Sequence, residues 1–73
     1  MTIGERLQRL REERGLTQGA LAVRSGVPQS SLALVERGYR QPSKGLAIAL
    51  LMKGLRLTEE ETHQLLREWH LDE

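Results

Sequence analysis

LTQGALAVRSGVPQSSLALVERG, Leu16 to Gly38, decides the fold: an apolar rhythm at helical spacing stops at Ser25-Gly26 and resumes within three residues. Two short helices joined by so tight a corner cannot run end to end, so the second must point where the first does not. Thr17 is placed to cap the earlier helix, with Leu21 and Ala22 facing inward. Gly26 falls just beyond its end, where a left-handed backbone costs glycine little. Pro28 is expected at the first position of the next helix, where its missing N–H and fixed φ do no harm. Leu32 and Val35 then turn inward before Gly38 closes the segment.

The flanks read as helix too, since β-branched and aromatic alternation is missing and apolar spacings of three and four recur. Thr2 and Glu5 form a capping box for a first helix carrying Ile3, Leu7 and Leu10 on one face and ending at Gly15. Ser43 is expected to cap a fourth helix through about Lys53, its ends weakened by Gly45 and Gly54. Thr58 and Glu61 form a second capping box, followed by Thr62, Leu65, Leu66 and Trp69 on one face of a last helix. The spacing predicts an all-α fold of five helices in a single domain, 1–73.

Several function classes are disfavoured from the start. A chain of 73 residues lies near the size at which one hydrophobic core stabilises a fold only modestly, which argues against a pocketed enzyme. Absence of cysteine removes disulfides and thiolate metal sites and permits a reducing compartment. The longest apolar run, LAIALLM at Leu46 to Met52, is too short to cross a bilayer, and no signal peptide is visible, so a soluble cytoplasmic protein is expected. His63 and His70 would stand about 10 Å apart along a helix axis, too far to share one ion. No serine pairs with either in a triad spacing. No catalytic, cofactor or metal site is expected.

The net charge of +1 hides an asymmetry. Up to Lys44 there are eight Lys/Arg against four acids, and beyond it three against six, so the first part carries +4 and the remainder −3. Such a division fits a chain whose first part meets a polyanion, although helical surfaces are commonly charged for solubility alone.

The run IGERLQRLREERGLTQGALAVRSGVPQSSLALVERGYRQPS, Ile3 to Ser43, resembles the Cro/Xre-type helix-turn-helix family, the lambda-repressor-like DNA-binding domains. The resemblance rests on LREERGLTQ at Leu10 to Gln18, LA followed by SGV at Ser25 to Val27, and ERG at Glu36 to Gly38 with Pro42 after it. Past Ser43 the match weakens, because the apolar positions from Leu46 to Leu57 align to the family only with a one-residue insertion. Residues 2–43 are accordingly read as the DNA-binding core and 44–73 as C-terminal helices with a dimerisation role.

The resemblance implies that the second helix crosses the DNA backbone while the third enters the major groove. Gln29, Ser30, Ala33 and Leu34 then become the base-contacting positions; Gln can bond two edges of adenine and Ser either donor or acceptor. Leu34 departs from the polar or charged residue common there, and three readings stay open: contact with a thymine methyl, contact with a protein partner, or burial by an inward tilt. Thr17 and Gln18 match positions that touch a phosphate, and Tyr39, Arg40, Gln41 and Lys44 fall where a loop follows the other backbone wall. Ala20 stands where the family often has an acid, leaving the capping box of the second helix incomplete. Arg24 and Arg37 are weaker candidates, equally well read as solvated surface. Arg11 and Glu36 match a structural ion pair.

Leu46, Ile48, Leu50, Leu51, Met52 and Leu55, with Trp69 and Leu71, supply more apolar surface than one face of a short helix hides, so a homodimer through the last two helices is weighed against a filled monomer core. Two function classes follow. One is a sequence-specific regulator of double-stranded DNA, a repressor on an inverted-repeat operator. The other is a helical interaction module, antitoxin-like or adaptor, that keeps the fold without the groove contacts and binds a toxin or another regulator.

Overall fold

The computed structural model describes residues 1–72; Glu73, the last residue of the C-terminal segment, lies outside them. Five α-helices follow in order: α1 (Ile3–Glu13), α2 (Gln18–Ser25), α3 (Gln29–Glu36), α4 (Lys44–Ile48), which runs on into a π-helical stretch (Ala49–Gly54), and α5 (Glu59–Glu68). They form one body of 28 × 25 × 21 Å.

Local chemistry sets the helix starts. Thr2 Oγ1 accepts from the Glu5 N–H at 3.1 Å while the Glu5 carboxylate accepts from the Thr2 N–H at 2.9 Å, and Thr58 and Glu61 repeat the exchange at the same distances. Thr17 and Ser43 cap α2 and α4 by accepting from Ala20 and Leu46. Pro28 does not occupy the first helical position: it stands one residue earlier, with extended ψ of 137°, and α3 begins at Gln29. Its carbonyl instead accepts from Ser31 and Leu32, so the proline ends the corner rather than opening the helix.

Leu7, Leu21, Ala22, Leu32, Val35, Leu50, Leu51, Leu55 and Leu65 make one core, with Ile3, Leu10, Leu16, Val27, Leu46, Leu57 and Trp69 packed around it. α2 lies against the π-helical stretch, and α3 against both α1 and α2. Most of the apolar run expected to exceed a single helix face is therefore internal. Leu50, Leu51 and Leu55 are buried, Leu46 and Ile48 half-buried, and Met52 exposed.

The expected plain fourth helix is corrected by the π-helical stretch. The Leu55 N–H reaches the Leu50 carbonyl at 2.8 Å and the Leu57 N–H the Leu51 carbonyl at 2.9 Å, so each ring closes over at least one more residue than an α turn. Gly54 does more than weaken a helix end: it is buried, and a Cβ there would collide with Ser25 Oγ and Leu21 Cδ1. The bare backbone lets the π-helical stretch seat against α2.

Gly54→Ala is therefore expected to destabilise the protein by about 1–3 kcal/mol through overpacking. Gly45→Ala, at a position where a Cβ meets nothing within 4 Å, should leave stability unchanged or raise it by up to about 1 kcal/mol. Urea unfolding of the two variants beside the parent measures both.

The capping carboxylates Glu5 and Glu61 are held below their ordinary value of 4.5, first by the backbone N–H and then by the hydroxyl of Thr2 and Thr58 respectively. A carboxylate depressed in the folded state contributes stability that is present above 4.5 and is lost as pH falls through the depressed folded value. Thr2→Ala and Thr58→Ala should each return the corresponding glutamate's titration toward 4.5 in a carboxyl-carbon NMR titration and reduce the loss of stability on acidification.

Candidate nucleic-acid interface

Three elements converge on the Glu36 carboxylate at the end of α3. Arg11 Nε donates to Glu36 Oε2 at 2.8 Å and Arg11 Nη2 to Oε1 at 3.1 Å, while Gln18 Nε2 donates to the same Oε1 at 2.9 Å. Arg11 Nη1 also donates to the Leu16 carbonyl at 2.9 Å, tying the loop between α1 and α2 into the cluster. The side chains of Arg11 and Glu36 retain only 12% and 3% of their exposure, so the pair is largely shielded from water. Hydrogen bonding to Glu36 raises the Arg11 pKa further, and the guanidinium stays charged.

A second contact from α1 holds the same end of α3 through its backbone. Gly4, buried near the start of α1, faces the backbone carbonyls of Val35 and Glu36 so closely that a Cβ would overlap them. The end of α3 is thereby held by both the backbone and the guanidinium of α1. At the other end, Gly26 takes φ of 71° and the Val27 N–H returns to the Ala22 carbonyl at 3.0 Å, the bond that closes α2 and swings the chain into α3.

On this scaffold Gln29, Ser30 and Leu34 are exposed and Ala33 is half-buried. Leu34 keeps 37% of its exposure, so the inward tilt considered from the sequence does not bury it. Tyr39, Arg40 and Gln41 are exposed on the loop after α3, pinned by the buried Pro42 and by the Tyr39 N–H bonded to the Leu34 carbonyl at 3.0 Å, whereas Lys44, expected on that loop, is exposed as the first residue of α4 because Ser43 caps the helix there. Thr17 Oγ1 accepts from Ala20, which leaves its hydroxyl proton free to donate. Gln18 is more constrained than its sequence position suggests: one amide proton is spent on Glu36, so only the other and the backbone N–H can face outward. Nothing in the spacing of Gln18 and Glu36 signals that bond, because it depends on the angle between α2 and α3.

The charge distribution of this surface follows from the same cluster. Between Thr17 and Lys44 the single acid is Glu36, and it is buried against Arg11. Every exposed charge from α2 through α3 and the following loop to the first residue of α4, namely Arg24, Arg37, Arg40 and Lys44, is positive. Arg14 contributes elsewhere, donating from Nε to the Leu55 carbonyl at 2.8 Å and so anchoring the end of the π-helical stretch to α1.

A helix-turn-helix domain family model matches residues 2–65. The chain belongs to this helix-turn-helix family. Among curated proteins it is similar to the uncharacterized HTH-type transcriptional regulator y4dJ of Sinorhizobium fredii, 46% identical over 41 residues that make up 56% of this chain and 53% of that protein. It is also similar to the HTH-type transcriptional repressor RghR of Bacillus subtilis, 39% identical over 59 residues, 81% of this chain and 44% of that protein. The chain thus spans about half the length of the curated relatives it matches. No solved structure matches it.

Among the described residues no helix of this helix-turn-helix chain is long and apolar enough to cross a membrane, and no group of three metal-ligating side chains is assembled.

Arg11→Met leaves the Glu36 carboxylate buried without its cation, and is expected to cost about 3–5 kcal/mol of stability, the scale for breaking one partner of a buried pair. The double variant Arg11→Met/Glu36→Met should recover part of that loss in thermal unfolding, since it removes the uncompensated charge.

Proposed function

We propose that this chain is a Cro/Xre-type, sequence-specific binder of double-stranded DNA and acts as a transcriptional repressor, with α3 in the major groove and α2 across the backbone. The observation that carries the reading is the cation-only surface of α2, α3 and the loop after them, with the one acid of that segment withdrawn into an ion pair. A duplex presents closely spaced phosphates, and a face free of exposed carboxylates meets them without repulsion. The names of the two relatives, a transcriptional regulator and a transcriptional repressor, support the same reading.

In this arrangement Gln29 and Ser30 contact base edges, and Ala33 and Leu34 offer apolar contact to thymine methyls. Thr17 donates its free hydroxyl proton, and Gln18 its outward N–H groups, to a phosphate at the N-terminus of α2. Tyr39, Arg40, Gln41 and Lys44 follow the other backbone wall and add affinity without sequence choice. Residues 2–43 carry the DNA contacts. The C-terminal helices complete the core and bring two copies together, because one eight-residue recognition helix reads only a few base pairs.

Selection from a random duplex pool at near-physiological salt tests the reading. An enriched inverted repeat with half-sites about 34 Å apart, bound with an affinity that falls linearly in log salt, is the expected result. No enrichment, together with binding that vanishes in salt, would overturn it in favour of a protein-interaction module that presents Leu34 to a partner.

Two variants sharpen the outcome. Gln29→Ala should relax preference at one base pair by about 1–3 kcal/mol, whereas Arg40→Ala should weaken all sequences alike and lower the salt slope by about one. Titrations of matched and mismatched duplexes at several salt concentrations separate the two.

A further inference from the structure

Gly19 is the second residue of α2, and Gly45 holds the corresponding place in α4. Neither has the positive φ that would call for glycine, yet their surroundings differ. A Cβ on Gly45 would meet nothing within 4 Å, whereas one on Gly19 would lie 3.4 Å from Gln29 Oε1, 3.8 Å from Cδ and 4.0 Å from Nε2. Gln29 is the first residue of α3 and is exposed, so its carboxamide could extend freely into solvent. Instead it lies over Gly19 where a Cβ would stand, with its oxygen nearer that point than its nitrogen. Gly19 itself lies in the first turn of that helix, ahead of its first i→i−4 bond, from Leu21 to the Thr17 carbonyl, so the carboxamide packs beside the N-terminal turn of α2.

We infer that Gly19 is a positioning residue for recognition: its missing side chain seats the Gln29 carboxamide and restricts its rotamers before DNA arrives. A side chain ordered in advance loses less freedom on binding and discriminates more sharply. The space is graded. The Cβ of an alanine fits in ordinary contact with Gln29, but a longer side chain takes the volume the carboxamide fills. This inference rests on the DNA-binding reading above.

The test compares Gly19→Ala, Gly19→Leu and Gly19→Gln, all uncharged and all better helix formers than glycine. Each should melt at or above the parent temperature. Against the duplex selected by the parent and its single-base-pair mismatches, Gly19→Ala should keep discrimination at the base pair that Gln29→Ala relaxes. Gly19→Leu and Gly19→Gln should lower it about tenfold, the scale of one base-edge contact, with other positions unchanged. In a Gln29→Ala background neither should alter it further.

If both bulky variants retain full discrimination while Gln29→Ala loses it, the inference is overturned and the DNA reading stands. It is likewise overturned if they weaken all duplexes equally, Gln29→Ala background included, since Gly19 would then act on the backbone contact. If the parent selects no preferred duplex, or Gln29→Ala relaxes no position, the reading of the recognition face fails and the inference falls with it.

Discussion

The carboxylate of Glu36 is the point on which this molecule closes. It accepts three hydrogen bonds, two from Arg11 on α1 and one from Gln18 at the start of α2, while it belongs to the last turn of α3. A buried ion pair is weak as a source of net stability, because desolvation offsets most of the attraction. Its value here is directional. A bidentate guanidinium and a single amide proton fix the angles among three helices more narrowly than leucine packing does, since planar hydrogen bonds tolerate less sliding than apolar contacts. The same burial clears the surface of α2 and α3 of exposed negative charge. One residue thus shapes the corner and the field around it.

Glycine contributes at the other close approaches. Gly4 lets α1 meet the end of α3 backbone to backbone, and Gly54 lets the backbone of the π-helical stretch meet the Leu21 and Ser25 side chains of α2. These two contacts and the Glu36 cluster surround the helix-turn-helix from both sides, so its two short helices, eight residues each, owe their geometry to neighbours rather than to their own length. The C-terminal half is part of that support, since Leu50, Leu51, Leu55 and Leu65 share one core with Leu21, Leu32 and Val35.

Much of this was legible in the sequence because it is written in local chemistry. Thr2 with Glu5 and Thr58 with Glu61 announce helix starts by residue type and spacing, and Gly26 announces the corner. Leu32 and Val35 follow from the helical period. What was not legible depends on contacts between distant segments. Pro28 fits either of two adjacent positions by propensity, and the difference of one residue is set by how the corner closes. Gln18 looks like a solvent-facing amide until the helix angle brings Glu36 within reach. The π-helical stretch has no compositional signature, and its widened turns depend on how Gly54 and Leu55 pack. Among the candidate site residues, exposure separates Leu34 from the core, which apolar character alone did not do.

Arg56 and His70 hold left-handed backbone, at φ of 59° and 58°, where L side chains crowd the following carbonyl at a cost on the order of 1 kcal/mol. The helices of the N-terminal half end instead on Gly15, Gly26 and Gly38, which adopt that conformation freely. Conformational relaxation is thus already complete where the chain turns from α2 into α3 and incomplete at Arg56 and His70. A small domain near the threshold of stability gains mutational latitude from such unrelieved positions: a compensating change for a destabilising one elsewhere can arise at Arg56 or His70 without altering a residue of α2 or α3. The evolutionary slack of this fold sits in the part that does not face the proposed duplex.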